Sequence, residues 1–145
     1  MYLRTFDLDD SLYLQEYRYN NLSKENIEKM ICDWNTKLYE DKYFEMFASV
    51  EENIVGMVSL YAYSKETVSI GVETFREYRN CGYGMKAVEL ALLEAKNKGY
   101  KIATAQVKCD NLPSIAICNK VGFENNHSYV NKKGNKVYFF IKSLV

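Results

Sequence analysis

The sequence has little of what several classes of protein require. Its 145 residues include one proline, one histidine and seven glycines, with no low-complexity linker and no internal repeat. The 19 basic and 19 acidic side chains give a formal net charge of zero. Nothing in that balance suggests nucleic acid or an anionic membrane as a partner, so we expect neither. A chain of this length is expected to fold as one domain over residues 1–145.

Signals for disulfides, metals, secretion and membrane insertion are missing too. The four cysteines show no C-x-x-C spacing, and His127 is the only histidine that could join them at a metal. The opening residues, MYLRTFDLDD, are acidic where a signal peptide needs an apolar run. No segment reaches the ~18 uninterrupted apolar residues of a membrane span. We therefore expect a cytoplasmic protein with reduced thiols and no bound metal.

The first forty residues predict one strand and two helices. The strand covers Tyr2–Phe6. The first helix covers Leu12–Tyr17 and follows three candidate capping residues, Asp9, Asp10 and Ser11. Ser23 is the predicted cap of the second helix. The apolar residues of that helix recur at steps of three and four: Ile27, Met30, Ile31, Trp34 and Leu38.

The rest of the chain predicts an α/β fold with a mostly antiparallel sheet of six or seven strands and about four helices. Tyr43–Val50, Ile54–Tyr63 and Thr67–Phe75 are rich in β-branched and aromatic residues, which favours three antiparallel strands. A helix ending at Gly99 and a strand at Ile102–Val107 follow. The remaining predicted elements are a helix from Asn111 or Asp110 to Gly122 and a hairpin of Tyr129–Val130 with Lys136–Ile141.

The motif that indicates chemistry lies between the strand ending at Phe75 and the following helix. It reads Arg79-x-x-Gly82-x-Gly84. Two glycines permit a sharp turn and a close ligand, and the first turn of a helix offers unpaired amides with a favourable dipole. A phosphate could bind there. A P-loop lysine and a G-x-G-x-x-G fingerprint are both missing, and the turn alone could equally serve geometry only.

A second motif lies about 30 residues downstream. It begins at Asn111 and Ser114 and ends Lys120-x-Gly122-Phe123. Together, at this separation, the two motifs resemble those of the GNAT superfamily of N-acetyltransferases. The likeness extends over the whole chain, because the predicted element order matches that of the GNAT domain.

The resemblance implies that acetyl-CoA is the co-substrate. In GNAT proteins the fourth and fifth strands splay apart, and pantetheine fills the gap. The implied cofactor-binding residues are those of the fourth strand, the glycine turn and the second motif: Val72, Thr74, Arg79, Asn80, Cys81, Gly82, Tyr83, Gly84, Met85, Asn111 and Ser114. The implied reaction is direct attack of a primary amine on the thioester in a ternary complex, with a backbone amide near Val72–Thr74 holding the oxyanion.

The catalytic residues implied by the resemblance are less determined. Many GNAT enzymes use a tyrosine as thiolate donor, and the corresponding position here is Cys118, which is also a common kind of buried packing residue. Ser114 is the alternative donor. The early-strand glutamate of some members falls at Val68. Glu73 is the nearest acidic residue, and it either faces the acceptor or serves the structure.

Other possibilities stay open at this point. Glu66, His127 or a relay through water could accept the proton of the amine. Tyr13, Tyr17 and Tyr19 are expected mainly in packing, with a possible share in the acceptor wall. The missing tyrosine and glutamate also allow a non-catalytic acyl-CoA-binding or sensory module. The acceptor is a small molecule or a protein N-terminus, and homodimers are common in this superfamily.

Overall fold

A computed structural model describes residues 1–145 as a twisted sheet with helices on both faces. Its strands are β1 (Tyr2–Thr5), β2 (Lys42–Val50), β3 (Ile54–Ala62), β4 (Thr67–Thr74), β5 (Ile102–Lys108), β6 (Glu124–Val130) and β7 (Lys136–Ser143). The order in the sheet is β1-β2-β3-β4-β5-β7-β6, and a two-residue strand, Leu38–Tyr39, also pairs with β2. Every pairing is antiparallel except that of β4 with β5. The predicted α/β class is confirmed.

Four helices cover the sheet: α1 (Ser11–Tyr17), α2 (Lys24–Trp34), α3 (Tyr83–Asn97) and α4 (Leu112–Lys120). Single 3-10 turns lie at Leu8–Asp10 and Arg76–Tyr78. None of the helices combines the length and the hydropathy that crossing a lipid bilayer requires.

The hydrophobic core is divided by the sheet into two clusters. One lies beneath α3 and α4, where Ala87, Ala91 and Ala95 line the buried stripe of α3 and allow it to approach the sheet closely. The other packs Ile27 and Ile31 of α2 against the opposite face. The two faces of the sheet are therefore covered by different helices, α3 and α4 on one face and α2 on the other.

Three local predictions need correction. No side chain caps α1, because the carboxylate of its N-cap residue, Asp10, accepts instead from Arg4 and the Asp7 amide. The 3-10 turn before it is capped by Asp7, whose carboxylate accepts from the Asp9 amide. Leu38 does not extend the stripe of α2, which ends at Trp34. The closing hairpin is longer than predicted, since β6 begins at Glu124.

The capping of α4 was open between two residues, and the structure identifies Asn111. Its side-chain oxygen accepts a hydrogen bond from the Ser114 amide at 3.3 Å. Ser23 caps α2 as predicted. Gly99, with φ of 94°, follows the end of α3 in the left-handed conformation that the sequence predicts there.

The separation of β4 from β5 opens a gap in the sheet. These strands pair only at Thr67–Ser69 with Ile102–Thr104. Beyond that point β4 continues along β3 to Thr74, whereas β5 follows β7 over its whole length. The predicted splay between the fourth and fifth strands is therefore present. Backbone groups on the facing edges of both strands are left without sheet partners.

Candidate active site

A cleft of about 860 Å³ occupies the gap between β4 and β5. Residues 70–74 form one edge and residues 105–108 the other. The start of α3 and the inner face of α4 complete the lining, through residues that include Gly82, Gly84, Ser114 and Cys118. The cleft thus joins the two sequence motifs, which are about 30 residues apart in the chain.

The turn before α3 has the geometry of an anion cradle. Gly82 is the N-cap residue with φ of 79°, and Asn80 is also left-handed at 64°. No side chain caps the helix, so its first amides keep their donor capacity for another partner. A Cβ added at Gly82 would meet no atom within 4 Å, which leaves space for a ligand against the turn. The helix dipole favours an anion at this position.

At position 84 a glycine is required for a different reason, which is close packing. A Cβ there would come within 3.3 Å of Ile117 Cδ1 on α4 and 3.4 Å of Thr74 Oγ1 on β4. The absence of a side chain therefore allows α3 to begin close to both neighbours. Arg79 supports the same turn, because its Nε donates to the Thr74 carbonyl at 3.2 Å.

The structure brings together nearly all of the predicted cofactor-binding residues. Those lining the cleft are Val72, Thr74, Arg79, Asn80, Gly82, Tyr83, Gly84, Met85, Asn111 and Ser114. Cys81 belongs to the turn but does not line the cleft. Its thiol is exposed and donates to the Arg79 carbonyl at 3.5 Å.

Helix α4 contributes two of the three catalytic candidates. Ser114 and Cys118 are four residues apart, hence on one face of the helix, and both line the cleft. The Ser114 hydroxyl has no hydrogen-bond partner within the protein and is half-buried. Burial raises the pKa of the Cys118 thiol to about 11. This cysteine is therefore a neutral thiol at physiological pH.

Glu73 lines the cleft from β4, and its carboxylate is paired with Arg18 at the end of α1. The pairing raises the pKa of Arg18. The Arg18 guanidinium also lies 4.7 Å from the centre of the Tyr19 ring. The carboxylate therefore faces the α1 and α2 side of the sheet, as strand alternation predicts, in a position set by a residue that the sequence analysis did not single out.

The other positions considered for the base lie elsewhere. Val68 is fully buried under α3. Glu66 precedes β4 at the far end of the strand and pairs with Lys101 at 3.2 Å. His127 lies exposed on β6, hydrogen-bonded to Asn126 and stacked on Phe139.

The predicted packing role of the early tyrosines is confirmed. Tyr13 donates to the Ile54 carbonyl at 2.7 Å and contacts the Tyr78 hydroxyl at 3.0 Å. Burial and the Tyr78 hydroxyl raise the pKa of Tyr13. Tyr17 stacks on Tyr13, and the Tyr19 hydroxyl points to Met57 Sδ. These rings hold α1 against the sheet beside Glu73.

Sequence reasoning missed a hydrogen-bonded bridge in which Gln106 joins two tyrosines beside the cleft. Gln106, which lines the cleft, donates to the Tyr63 hydroxyl at 2.7 Å and accepts from the Tyr129 hydroxyl at 2.9 Å. The only local signal was one carboxamide in the strand Ile102–Val107, whose other residues are apolar except for Thr104. Its partners are 43 and 23 residues away, beyond the reach of any local pattern.

The geometry agrees with a family of known proteins. Residues 1–124 match the family model described as the acetyltransferase (GNAT) domain. The chain belongs to the GNAT acetyltransferase family. The sequence resemblance is thereby confirmed.

Solved structures show the same fold at low sequence identity. The Salmonella typhimurium protein yncA, solved with its cofactor acetyl-CoA, is 18% identical with a TM-score of 0.76, covering 100% of this chain and 94% of that one. A spermidine N-acetyltransferase SpeG chimera from Vibrio cholerae and hSSAT is 14% identical with a TM-score of 0.81, covering 99% and 96%. Ribosomal-protein-alanine N-acetyltransferase from Brucella melitensis is 18% identical with a TM-score of 0.77, covering 99% of both chains.

Proposed function

We propose that this GNAT protein transfers the acetyl group of acetyl-CoA to a primary amine of a small molecule or of a protein N-terminus. The observation that carries the proposal is the open edge of β4 beside an uncapped helix start. An extended amide-containing chain fits unpaired strand edges, and a pyrophosphate fits first-turn amides. Of the solved relatives, yncA contains acetyl-CoA, and two others are named for N-acetylation of an amine.

The residues of the cleft fit the parts of this co-substrate. The free amides at the start of α3, with Gly82 and Gly84, would hold the pyrophosphate, and Arg79 would add positive charge. The edge of β4 at Val72 and Thr74 would pair with pantetheine amides. Asn111 and Ser114 would lie along the same arm from α4. When bound, acetyl-CoA supplies an activated acetyl thioester.

Two proton-handling roles remain for the protein. The Ser114 hydroxyl, free of protein partners, is suited to donate to the departing sulfur, with the Cys118 thiol as the second candidate donor. Glu73 is the candidate acceptor of the amine proton, directly or through water, because the residue lines the cleft and its carboxylate lies on the α1 side beside Arg18. Arg18 keeps that carboxylate in place.

Two measurements test the proposal. Isothermal titration with acetyl-CoA should give saturable binding, and release of free thiol across a panel of primary amines should identify a turned-over acceptor. Absence of acetyl-CoA binding contradicts the proposal. Binding without turnover of any amine would instead favour a non-catalytic acyl-CoA-binding or sensory module.

The catalytic assignments are tested in the same thiol-release assay with Ser114→Ala, Cys118→Ala and Glu73→Gln. Loss of about 100-fold in kcat is expected for a group that transfers a proton in the rate-limiting step. If all three variants keep kcat within about tenfold, substrate positioning and water suffice for the reaction.

A further inference from the structure

A second pocket, separate from the cleft, lies on the opposite face of the sheet between α2 and the strands. Its volume is about 510 Å³. Aromatic and apolar side chains form nearly all of its lining, together with one carboxylate: Met30, Asp33, Trp34, Leu38, Tyr39, Phe44 and Tyr61. Nothing in the proposed acetyl-CoA site uses these residues.

The rings of this pocket are arranged around a common space. Tyr39 lies 6.2 Å from Phe44 and 5.9 Å from Tyr61, measured between ring centres, and the planes of the Tyr39 and Tyr61 rings meet at 73°. Trp34 forms the wall on α2. Although Tyr39 is aromatic, 57% of its surface is exposed, so its position is not explained by burial in the core. Several aromatic faces around one cavity attract organic cations.

The charges beside the pocket are complementary to a cation. The Asp33 carboxylate lines it and has neither a salt bridge nor a hydrogen bond within the protein. Burial raises the pKa of the Tyr61 hydroxyl, and the Glu40 carboxylate raises it further. The two lysines on either side of the Tyr39 segment in the chain are directed elsewhere: Lys37 pairs with Glu45, and Lys42 donates to the Tyr63 carbonyl.

The segment that carries Tyr39 has an uncommon backbone. Lys37, Glu40 and Asp41 have φ of 59°, 51° and 65°, and they are three of the four non-glycine residues in the chain with positive φ. Glu40 and Asp41 form the two-residue turn between the paired residues Tyr39 and Lys42, where positive φ at both positions matches the twist of a hairpin. Here they place Tyr39 over Phe44 and Tyr61 while keeping two carboxylates at the same turn.

The pocket is connected to the cleft along the same face. Tyr61 is paired with Ser69 on β4, and Glu73 is four residues further along that strand on the same face, roughly 13 Å away at ~3.3 Å per residue. The Tyr61 ring also packs edge-on against Tyr63, whose hydroxyl accepts from Gln106 at the cleft. A flexible chain bound at one end in the pocket can therefore reach the cleft with its other end.

We propose that this pocket binds the distal ammonium group of a diamine or polyamine acceptor, whose other amine reaches the acetyl donor beside Glu73. The substrate class rests on the proposed acetyltransferase function, but ammonium binding in the pocket does not. A second protein copy over the exposed Leu38 and Tyr39 is the competing occupant.

Trp34 makes the pocket directly observable, because it is the only tryptophan in the chain and lines the site. Its fluorescence should change saturably on titration with 1,8-diaminooctane, without acetyl-CoA. The matched ligand 1,8-octanediol, which carries no ammonium group, should bind about tenfold more weakly. No response of Trp34, or equal affinity for the two ligands, would overturn the inference.

Variants test whether residues of the pocket, rather than neighbouring residues, bind the diamine. Asp33→Asn and Tyr61→Leu should each weaken diamine binding about tenfold and raise its KM equally at unchanged kcat. Tyr61→Phe, which keeps the ring, and Glu28→Gln, a carboxylate of α2 outside the pocket, should retain affinity within about twofold. During turnover the single amine of 8-amino-1-octanol must reach the acetyl donor, which leaves a hydroxyl for the pocket. Variants that leave the ratio of KM for 1,8-diaminooctane to KM for 8-amino-1-octanol unchanged would contradict the inference.

Two further outcomes keep the inference and the proposed function distinguishable. Turnover of acetyl-CoA with simple amines, without a Trp34 response, would overturn the inference and leave the acetyltransferase function standing. Sedimentation that shows a dimer covering the pocket, with no diamine binding, would overturn it in favour of the second copy. A Trp34 response without acetyl-CoA binding would support the ammonium site while removing the acetyltransferase function.

Discussion

The two ends of strand β4 have different surroundings. At Val68 and Ser69 the strand is paired on both sides, and Val68 is fully buried. From Ile70 to Thr74 it is paired with β3 alone, and its last four residues are only half-buried. The closed end therefore contributes to stability, whereas the open end holds backbone groups available for a ligand. A single strand provides both functions because its neighbour β5 turns away halfway along.

The largest expected effect concerns ligand binding at the open end. Gly82→Trp would place an indole where the turn faces the cleft, and it would also put a side chain on a left-handed backbone with φ of 79°. We therefore expect acetyl-CoA affinity to fall at least about 100-fold, or ~2.7 kcal/mol. Isothermal titration measures it. Gly134→Trp is the matched control, since Gly134 has φ of 83° and open space but lies in the β6–β7 turn. Equal losses in both variants would show that strain, not the cradle, is responsible.

The second prediction compares stability at the two ends. Val68→Ala removes a buried side chain between paired strands and should lower the free energy of unfolding by about 2–3 kcal/mol. Val72→Ala, at the half-exposed open end, should cost less than about 1 kcal/mol. Urea unfolding of both variants checks the difference. Similar losses would mean that the open end is packed as tightly as the closed one.

The third prediction concerns the helix wall of the cleft and depends on pH. Burial raises the pKa of Cys118 from 9.0 to about 11, so the folded chain holds this proton more tightly than the unfolded chain does. The resulting stability is fully present below about pH 9 and falls as pH rises towards 11, by about 2 kcal/mol. Cys118→Ala should lack this part of the alkaline loss in urea unfolding. An identical pH dependence in both proteins would place the thiol in solvent.

The smallest expected change in stability concerns two ion pairs at the surface, one at each end of β4. Arg18→Gln breaks the exposed pair with Glu73 at the open end, and Lys101→Gln breaks the pair with Glu66 at the closed end. Each should change the free energy of unfolding by less than about 1 kcal/mol. Only Arg18→Gln should also lower kcat, about tenfold, because Glu73 loses its orientation. Equal kcat in the two variants would argue against a role for Glu73.

Much of the fold follows from local patterns. Ser23, Asn111 and Gly99 mark helix ends through hydrogen bonding and backbone preference, which the sequence expresses within a few residues. The glycine turn was predictable for the same reason. The start of β6 was not, because its residues from Glu124 to Ser128 are polar and exposed on an edge strand and carry no hydrophobic period.

The side-chain contacts of the site that join residues far apart in the chain could not be predicted from the sequence. The pairing of Arg18 with Glu73 joins residues 55 apart, and no local pattern signals it. The second pocket is similar, since Trp34, Tyr39 and Tyr61 meet only once α2 packs on the sheet. The proposed cofactor site depends on a backbone turn and was predictable, whereas the proposed acceptor site depends on tertiary contacts and was not.

Hydrogen exchange of β4 with and without acetyl-CoA tests the central claim most directly. If the open end binds the co-substrate, amides within residues 70–74 and 79–85 should exchange more slowly on addition of acetyl-CoA, while those of residues 67–69 stay unchanged. Unaltered exchange in residues 70–74 at saturating acetyl-CoA would contradict the account.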